Sequence, residues 1–160
     1  LAAAKLGGAH DVLGLDSSSR AVTLARANAE LNGLANVRFD TGDCFKTLAR
    51  LAEEGKSFGA VILDPPKLVH TKQQLDKGSR AYKDLNWLGM RLLSPGGLLV
   101  TFSCSGNVSA ELHQKIVADA ALDAGRDAQV IARLNQASDH PVLLSFPEGQ
   151  YLKGLVCRVA

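Results

Sequence analysis

Gly59-Ala-Val-Ile-Leu-Asp-Pro-Pro-Lys67 decides how the rest of the chain is read. Ala60 to Leu63 are apolar and β-compatible, and fit a strand buried on both faces. Asp64 stands where that strand should end. Pro65 and Pro66 each fix φ and lack an N–H donor, so the chain must leave the sheet as a stiff turn with Asp64 at its start. In an open α/β sheet the carboxyl edge of the strands is where ligands bind. Asp64 is therefore either a ligand-facing acid or a cap for the segment that follows, and the tetrapeptide alone does not decide between them.

The 160 residues suit one domain, with 46% apolar content for its core. Eighteen basic against 16 acidic residues leave a formal charge of +2, so any nucleic-acid contact must come from local clustering. Cys44, Cys104 and Cys157 are widely spaced and form no CxxC pair, which argues against a disulfide framework or structural zinc and suits a reducing cytoplasm. No apolar run is long enough to span a bilayer, and the N-terminus has neither an initiating methionine nor a signal peptide's layout. A piece cut from a longer protein is expected.

Working outward, alanine-rich residues 1–6 read as helix ended by Gly7-Gly8. Val12 to Asp16 is a strand followed by three serines able to cap a helix that runs to Gly33. Asn36 to Thr41 alternates as a half-buried strand, and Gly42-Asp43 opens a helix over 44–54. After the Asp64 turn, residues 67–80 are polar and basic, and helical spacing resumes from Tyr82 to Leu93. Pro95-Gly96-Gly97 is a turn, Leu98 to Cys104 a second apolar strand, and Ser109 with Glu111 starts a helix reaching about Ala124. Strands over 130–134 and 151–159 close the chain without a long helix between them. Alternating strands and helices predict an α/β fold with a mostly parallel sheet, and the ending predicts an antiparallel hairpin.

Three acids, Asp16, Asp43 and Asp64, stand at successive strand exits. A carboxylate at the Asp16 position can accept from both hydroxyls of a ribose, yet an N-cap aspartate occupies the same junction. Asp43 has the same ambiguity. Strand alternation sends Cys104 to one side and Ser103 and Ser105 to the other. A lone cysteine would ordinarily be a small buried hydrophobe, but this one ends the strand expected beside Asp64. Lys67, Lys72, Lys77, Arg80 and Lys83 form a basic segment that is either an ordinary solvated stretch or a phosphate-binding surface. Tyr82 could stack on a base or face the core, and His140 is structural in its Asp-His-Pro turn.

Asp64-Pro-Pro-Lys67, Tyr82-Lys-Asp-Leu-Asn86, Pro95-Gly-Gly-Leu-Leu-Val-Thr-Phe-Ser-Cys-Ser105, Asp139-His-Pro141 and Pro147-Glu-Gly-Gln-Tyr-Leu-Lys-Gly154 together resemble the bacterial large-subunit ribosomal RNA cytosine-5 methyltransferases. The resemblance covers nearly all of residues 1–160 as a partial methyltransferase domain. It implies a Rossmann-like class I methyltransferase fold of strand order 3-2-1-4-5-7-6, without the first strand, the glycine-rich loop or an N-terminal RNA-binding domain. It further implies S-adenosylmethionine as methyl donor, with Asp16 on its ribose, Asp43 on its adenine amino group and Asp64 bordering both donor and target base. Cys104 matches the family's catalytic cysteine, with Asp64 as its catalytic companion. Pro65, Lys67, Arg80 and Lys83 become candidates for contact with the RNA substrate, and Lys67 for a cation near the thiolate.

Uracil-5 methylation uses a similar pair of motifs and stays open, as does a non-catalytic RNA-binding fragment. A nicotinamide dehydrogenase should carry GxGxxG before its first helix, which is absent. A hydrolase pairing Cys104 with His140 lacks an evident oxyanion loop. Loss of a central strand would weaken cofactor binding and expose strand edges through which copies could associate.

Overall fold

A computed structural model describes residues 1–160, which divide into two compact units, Leu1–Arg50 and Leu51–Ala160. No helix is long and apolar enough to cross a membrane.

The first unit is a β-α-β element preceded by a short helix, α1 (Ala2–Lys5). Strands β1 (Val12–Asp16) and β2 (Val37–Thr41) pair in parallel, with Val12 opposite Val37 and Asp16 opposite Thr41. Helix α2 (Ser19–Leu31) crosses between them, and its N-cap Ser18 accepts a hydrogen bond from the Ala21 N–H at 3.3 Å. The helix buries Val22 and Ala29. Gly14 sits against Phe39, where a Cβ would come within 2.5 Å of the ring, so only glycine lets strand and ring meet. The boundary between units falls within α3 (Cys44–Glu53).

The second unit holds a four-stranded sheet of order β3-β4-β6-β5, formed by β3 (Phe58–Leu63), β4 (Leu93–Ser103), β5 (Ala128–Leu134) and β6 (Lys153–Val159). β3 and β4 are parallel, and β6 runs antiparallel to both β4 and β5, so the expected terminal hairpin is present. The pairing of β1 with β2, and the order β3-β4-β6-β5 with its antiparallel β6, each agree within their own sheet with stretches of the expected strand order. Helices α4 (Leu75–Arg91) and α5 (Ala110–Asp123) contribute Tyr82 and Ile116 to a core cluster with Val69 and Val108. Leu155, Cys157 and Val159 bury the alternate face of β6.

Three expectations need correction. β3 is not buried on both faces: Leu63 is buried, but Ala60 is exposed and Ile62 is 62% exposed. It pairs only with β4, and α4 packs on the face that carries Val61 and Leu63, where a Cβ on Gly89 would lie 3.0 Å from Leu63 Cδ1. Pro95-Gly96-Gly97 is not a break before a strand, because β4 is continuous through it. The register shifts opposite, between Phe58 and Ala60, and Gly96 takes φ +79°.

The polar segment 67–80 is largely helical, with a 3₁₀ turn at Lys72–Gln74 and α4 beginning at Leu75, seven residues earlier than the apolar spacing suggests. Its first turn is held by backbone approach instead of apolar side chains. A Cβ on Gly78 would lie 2.3 Å from Val69 Cγ2 and 2.7 Å from the Leu68 carbonyl oxygen. Gly78→Ala is therefore expected to destabilise the fold by about 1–3 kcal/mol in a urea titration, although alanine is the better helix former.

A polar group of side chains lies inside this unit. His113 is 1% exposed, with Nε2 at 3.5 Å from the Thr101 carbonyl and its ring edge-on to Tyr82 at 6.1 Å. Burial chiefly, with the charge of Lys153 adding to it, pushes the His113 pKa down against the effect of the Thr101 carbonyl. A histidine whose folded pKa lies below its unfolded value stabilises the fold fully above the unfolded value and loses that contribution as pH falls. The urea midpoint should fall as pH is lowered from about 7 towards 5, and His113→Phe should flatten that dependence.

Candidate active site

In the second unit, Asp64 and Cys104 follow neighbouring parallel strands. Leu63 pairs with Thr101, so Asp64 begins the turn after β3, and Cys104 is the first residue beyond β4 on the same edge of the sheet. Ser103 and Ser105 are fully buried and Cys104 is half-buried between them, the alternation expected from the sequence. Asp64 is exposed, Pro65 half-buried, and the turn is anchored by Val69 in the core.

Ser105 ties the two turns together. Its Oγ accepts from the Val69 N–H at 3.2 Å and shares a 3.0 Å hydrogen bond with the Tyr82 hydroxyl. The Ser105 N–H donates to Ser103 Oγ at 3.4 Å, and Asn107 Nδ2 donates to the His70 carbonyl at 3.2 Å. The Asp64 turn and the Cys104 turn thus form one hydrogen-bonded piece. Tyr82 is 0% exposed, which settles its two readings in favour of the core. Ser105→Ala would leave the buried Val69 N–H and Tyr82 hydroxyl without this partner. A loss of about 1–3 kcal/mol is expected by chemical denaturation.

Lys153 opens β6 directly opposite Ser103. Its half-buried Nζ donates to the carbonyl oxygens of Ser105 at 2.7 Å and Val108 at 2.6 Å. Burial pushes its pKa down, and Cys104 acts on it in the opposite sense. Neither this lysine nor the bridging role of Ser105 is evident from sequence spacing. Both depend on which strand lies beside β4. The only sequence signal was membership of the quoted segments.

Asp16 and Asp43 belong to the first unit. Asp16 Oδ1 accepts from the Ser18 N–H at 2.7 Å, and the Asp16 carbonyl accepts from the Gly42 N–H at 3.0 Å, which draws the two strand exits together. Asp43 Oδ1 accepts from the Lys46 N–H at 3.1 Å and so caps α3. Each acid does serve its junction, and each is exposed and retains its other carboxylate oxygen. Burial, then Asp16 and Asp43, push the nearby Cys44 thiol pKa up; burial does the same for Cys157.

Lys67 and Arg80 are exposed. Lys83 points to α5, where its Nζ lies 2.6 Å from Asp123. His140 is exposed in a turn closed by its N–H on the Ala137 carbonyl. No cluster of three His, Cys, Asp or Glu side chains could hold a metal ion.

Residues 1–145 match a family model described as a methyltransferase domain. The chain is similar to a ribosomal RNA large subunit methyltransferase I from Aeromonas salmonicida, 54% identical over 95% of this chain and 39% of that protein. A protein of the same name from Shewanella amazonensis is 55% identical over 99% of this chain and 40% of its own length. The chain thus spans about two fifths of these curated relatives. Among solved structures, a SAM-dependent methyltransferase from Streptococcus mutans superposes with TM-score 0.80 at 22% identity, over 96% of this chain and 39% of that one. At that identity the likeness speaks for the fold alone, and it is the α/β fold with a partly antiparallel sheet described above. The strand order and the family match agree: the chain belongs to the methyltransferase domain family and carries its Rossmann-like class I fold.

Proposed function

We propose that the protein containing this chain transfers a methyl group from S-adenosylmethionine to carbon 5 of a cytosine in large-subunit ribosomal RNA, with Cys104 as covalent nucleophile. The observation that carries this reading is the half-buried Cys104 thiol at the exit of β4, tied through Ser105 to the turn that follows Asp64. The names of the 54–55% identical relatives support the substrate class.

The donor set suits the cofactor. Asp16 and Asp43 each keep a carboxylate oxygen, able to accept from a ribose hydroxyl pair and from an adenine amino group respectively. Bound there, S-adenosylmethionine supplies an electrophilic methyl group. Carbon 5 of cytosine is a weak nucleophile until the Cys104 thiolate adds to carbon 6 and makes the ring enamine-like. After carbon 5 has taken the methyl group, loss of its proton to a base returns the electron pair that expels the Cys104 sulfur. Asp64 can hydrogen-bond the ring nitrogen 3 and exocyclic amine, stabilising the adduct and favouring cytosine over uracil. Lys67 and Arg80, with Pro65 shaping the turn, take the RNA strand, while Lys83 contributes less because Asp123 engages it.

The target base must leave its stack, so a loop or single-stranded segment is the expected substrate, in the cytoplasm where ribosomes are made. Copies of the isolated chain are expected to associate through the outer edges of β1 and β3, each paired on one side only, which light scattering reads as concentration-dependent mass. Mapping methylated nucleosides after incubating the whole protein with unmodified ribosomal RNA tests the reading. It requires 5-methylcytidine. 5-Methyluridine would place the chemistry on uracil, and no methylated pyrimidine would sink it.

A further inference from the structure

We propose that Lys153 is a positioning residue for Cys104: its ammonium group fastens the turn that follows the cysteine and holds a positive charge beside the sulfur. The inference deepens the methyl-transfer reading and rests on it only for what the sulfur attacks.

The argument starts from register. β6 is antiparallel to β4, and Lys153 is the residue paired with Ser103, so its side chain lies on the Ser103 side of the sheet, and its reach to the Ser105 carbonyl brings the ammonium group to the turn that follows Cys104. The ammonium group has three N–H donors. Two of its hydrogen bonds go to the carbonyls of Ser105 and Val108, at 2.7 and 2.6 Å, which bracket the turn after the cysteine. No carboxylate pairs with Lys153 in a salt bridge, although the side chain is half-buried. A partly desolvated ammonium facing only neutral carbonyls is costly, and a thiolate at Cys104 would supply the missing negative charge. The upward pull of Cys104 on the Lys153 pKa, against the larger effect of burial, agrees with that placement. Exposed Lys67, the cation nominated from sequence, has no comparable anchoring.

The test uses this chain without RNA or cofactor. Alkylation of Cys104 is followed by peptide mass spectrometry with neutral iodoacetamide and anionic iodoacetate, in the wild type, Lys153→Met and Lys153→Arg. Loss of a loop anchor alone changes both rates together; loss of a neighbouring positive charge lowers the iodoacetate-to-iodoacetamide ratio. The expected fall in Lys153→Met is about fivefold, with recovery in Lys153→Arg. An unchanged ratio in a folded Lys153→Met overturns the proposal. Should that variant not fold, the wild-type ratio must fall as salt is raised from about 0.01 to 1 M; a flat response overturns the proposal equally. In the whole protein, Lys153→Met should lower kcat at least about tenfold with KM for RNA within about twofold. A raised KM with unchanged kcat would make Lys153 an RNA contact and contradict its role at the sulfur. Because the alkylation ratio needs no methyl transfer, a shifted ratio with no 5-methylcytidine from the wild type separates failure of the methyl-transfer reading from failure of this one.

Discussion

Cys104→Ala is expected to reduce cytosine-5 methylation by at least about a thousandfold in kcat, because without thiolate addition carbon 5 has little nucleophilicity to offer. Cys104→Ser should fare nearly as badly. Serine keeps the size of the side chain, but its hydroxyl is almost fully protonated at neutral pH, so the pair of variants separates nucleophile from packing. The thiol is half-buried and its neighbours Ser103 and Ser105 provide the turn's hydrogen bonds, so neither variant should unfold the protein. RNA affinity by filter binding should stay within about threefold, because the strand is held chiefly by phosphate contacts. Full activity in the serine variant would return Cys104 to a packing role.

Arg126→Met should be the most destabilising substitution away from that edge. The half-buried guanidinium pairs with no Asp or Glu side chain. It donates from Nε to the Ala160 carbonyl at 2.5 Å, from Nη1 to the Met90 and Leu93 carbonyls at 3.0 Å each, and from Nη2 to the Ser94 carbonyl at 3.5 Å. One side chain thereby joins the last turn of α4, the start of β4 and the residue after β6. The Met90 carbonyl lies in the last turn of α4, where helix carbonyls lack intrahelical partners and where a positive charge suits the helix dipole. Losing these charged hydrogen bonds is expected to cost about 2–4 kcal/mol by urea denaturation. Arg126→Lys should recover only part of it, since an ammonium cannot reproduce the planar fork. A loss below about 0.5 kcal/mol would mean the fork adds nothing beyond solvation.

Much of this was legible in the sequence because local chemistry and tertiary demand agreed. Ser18 and Ser109 cap their helices as their positions implied, accepting from the Ala21 and Leu112 N–H groups. The alternation that sets Cys104 apart from Ser103 and Ser105 is present, with both serines buried and the cysteine half-buried. What escaped depended on partners distant in sequence. Whether Ala60 and Ile62 are covered depends on what packs against β3, and an apolar run cannot reveal that. The start of α4 escaped because Gly78 marks it through close backbone approach, where spacing records only missing apolar residues. Lys153 and Ser105 were legible as letters of a resemblance, but their roles emerged only once β6 was found beside β4.

The central claim, a covalent bond between Cys104 and the target base, is tested most directly with RNA carrying 5-fluorocytidine at the methylated position. Fluorine replaces the proton whose departure expels the sulfur, so the adduct cannot resolve. The account predicts a denaturation-resistant protein–RNA complex, dependent on S-adenosylmethionine, whose cross-linked peptide contains Cys104. A cross-link to another residue, or 5-methylcytidine formation on normal RNA with no trapped complex on the fluorinated one, would contradict it.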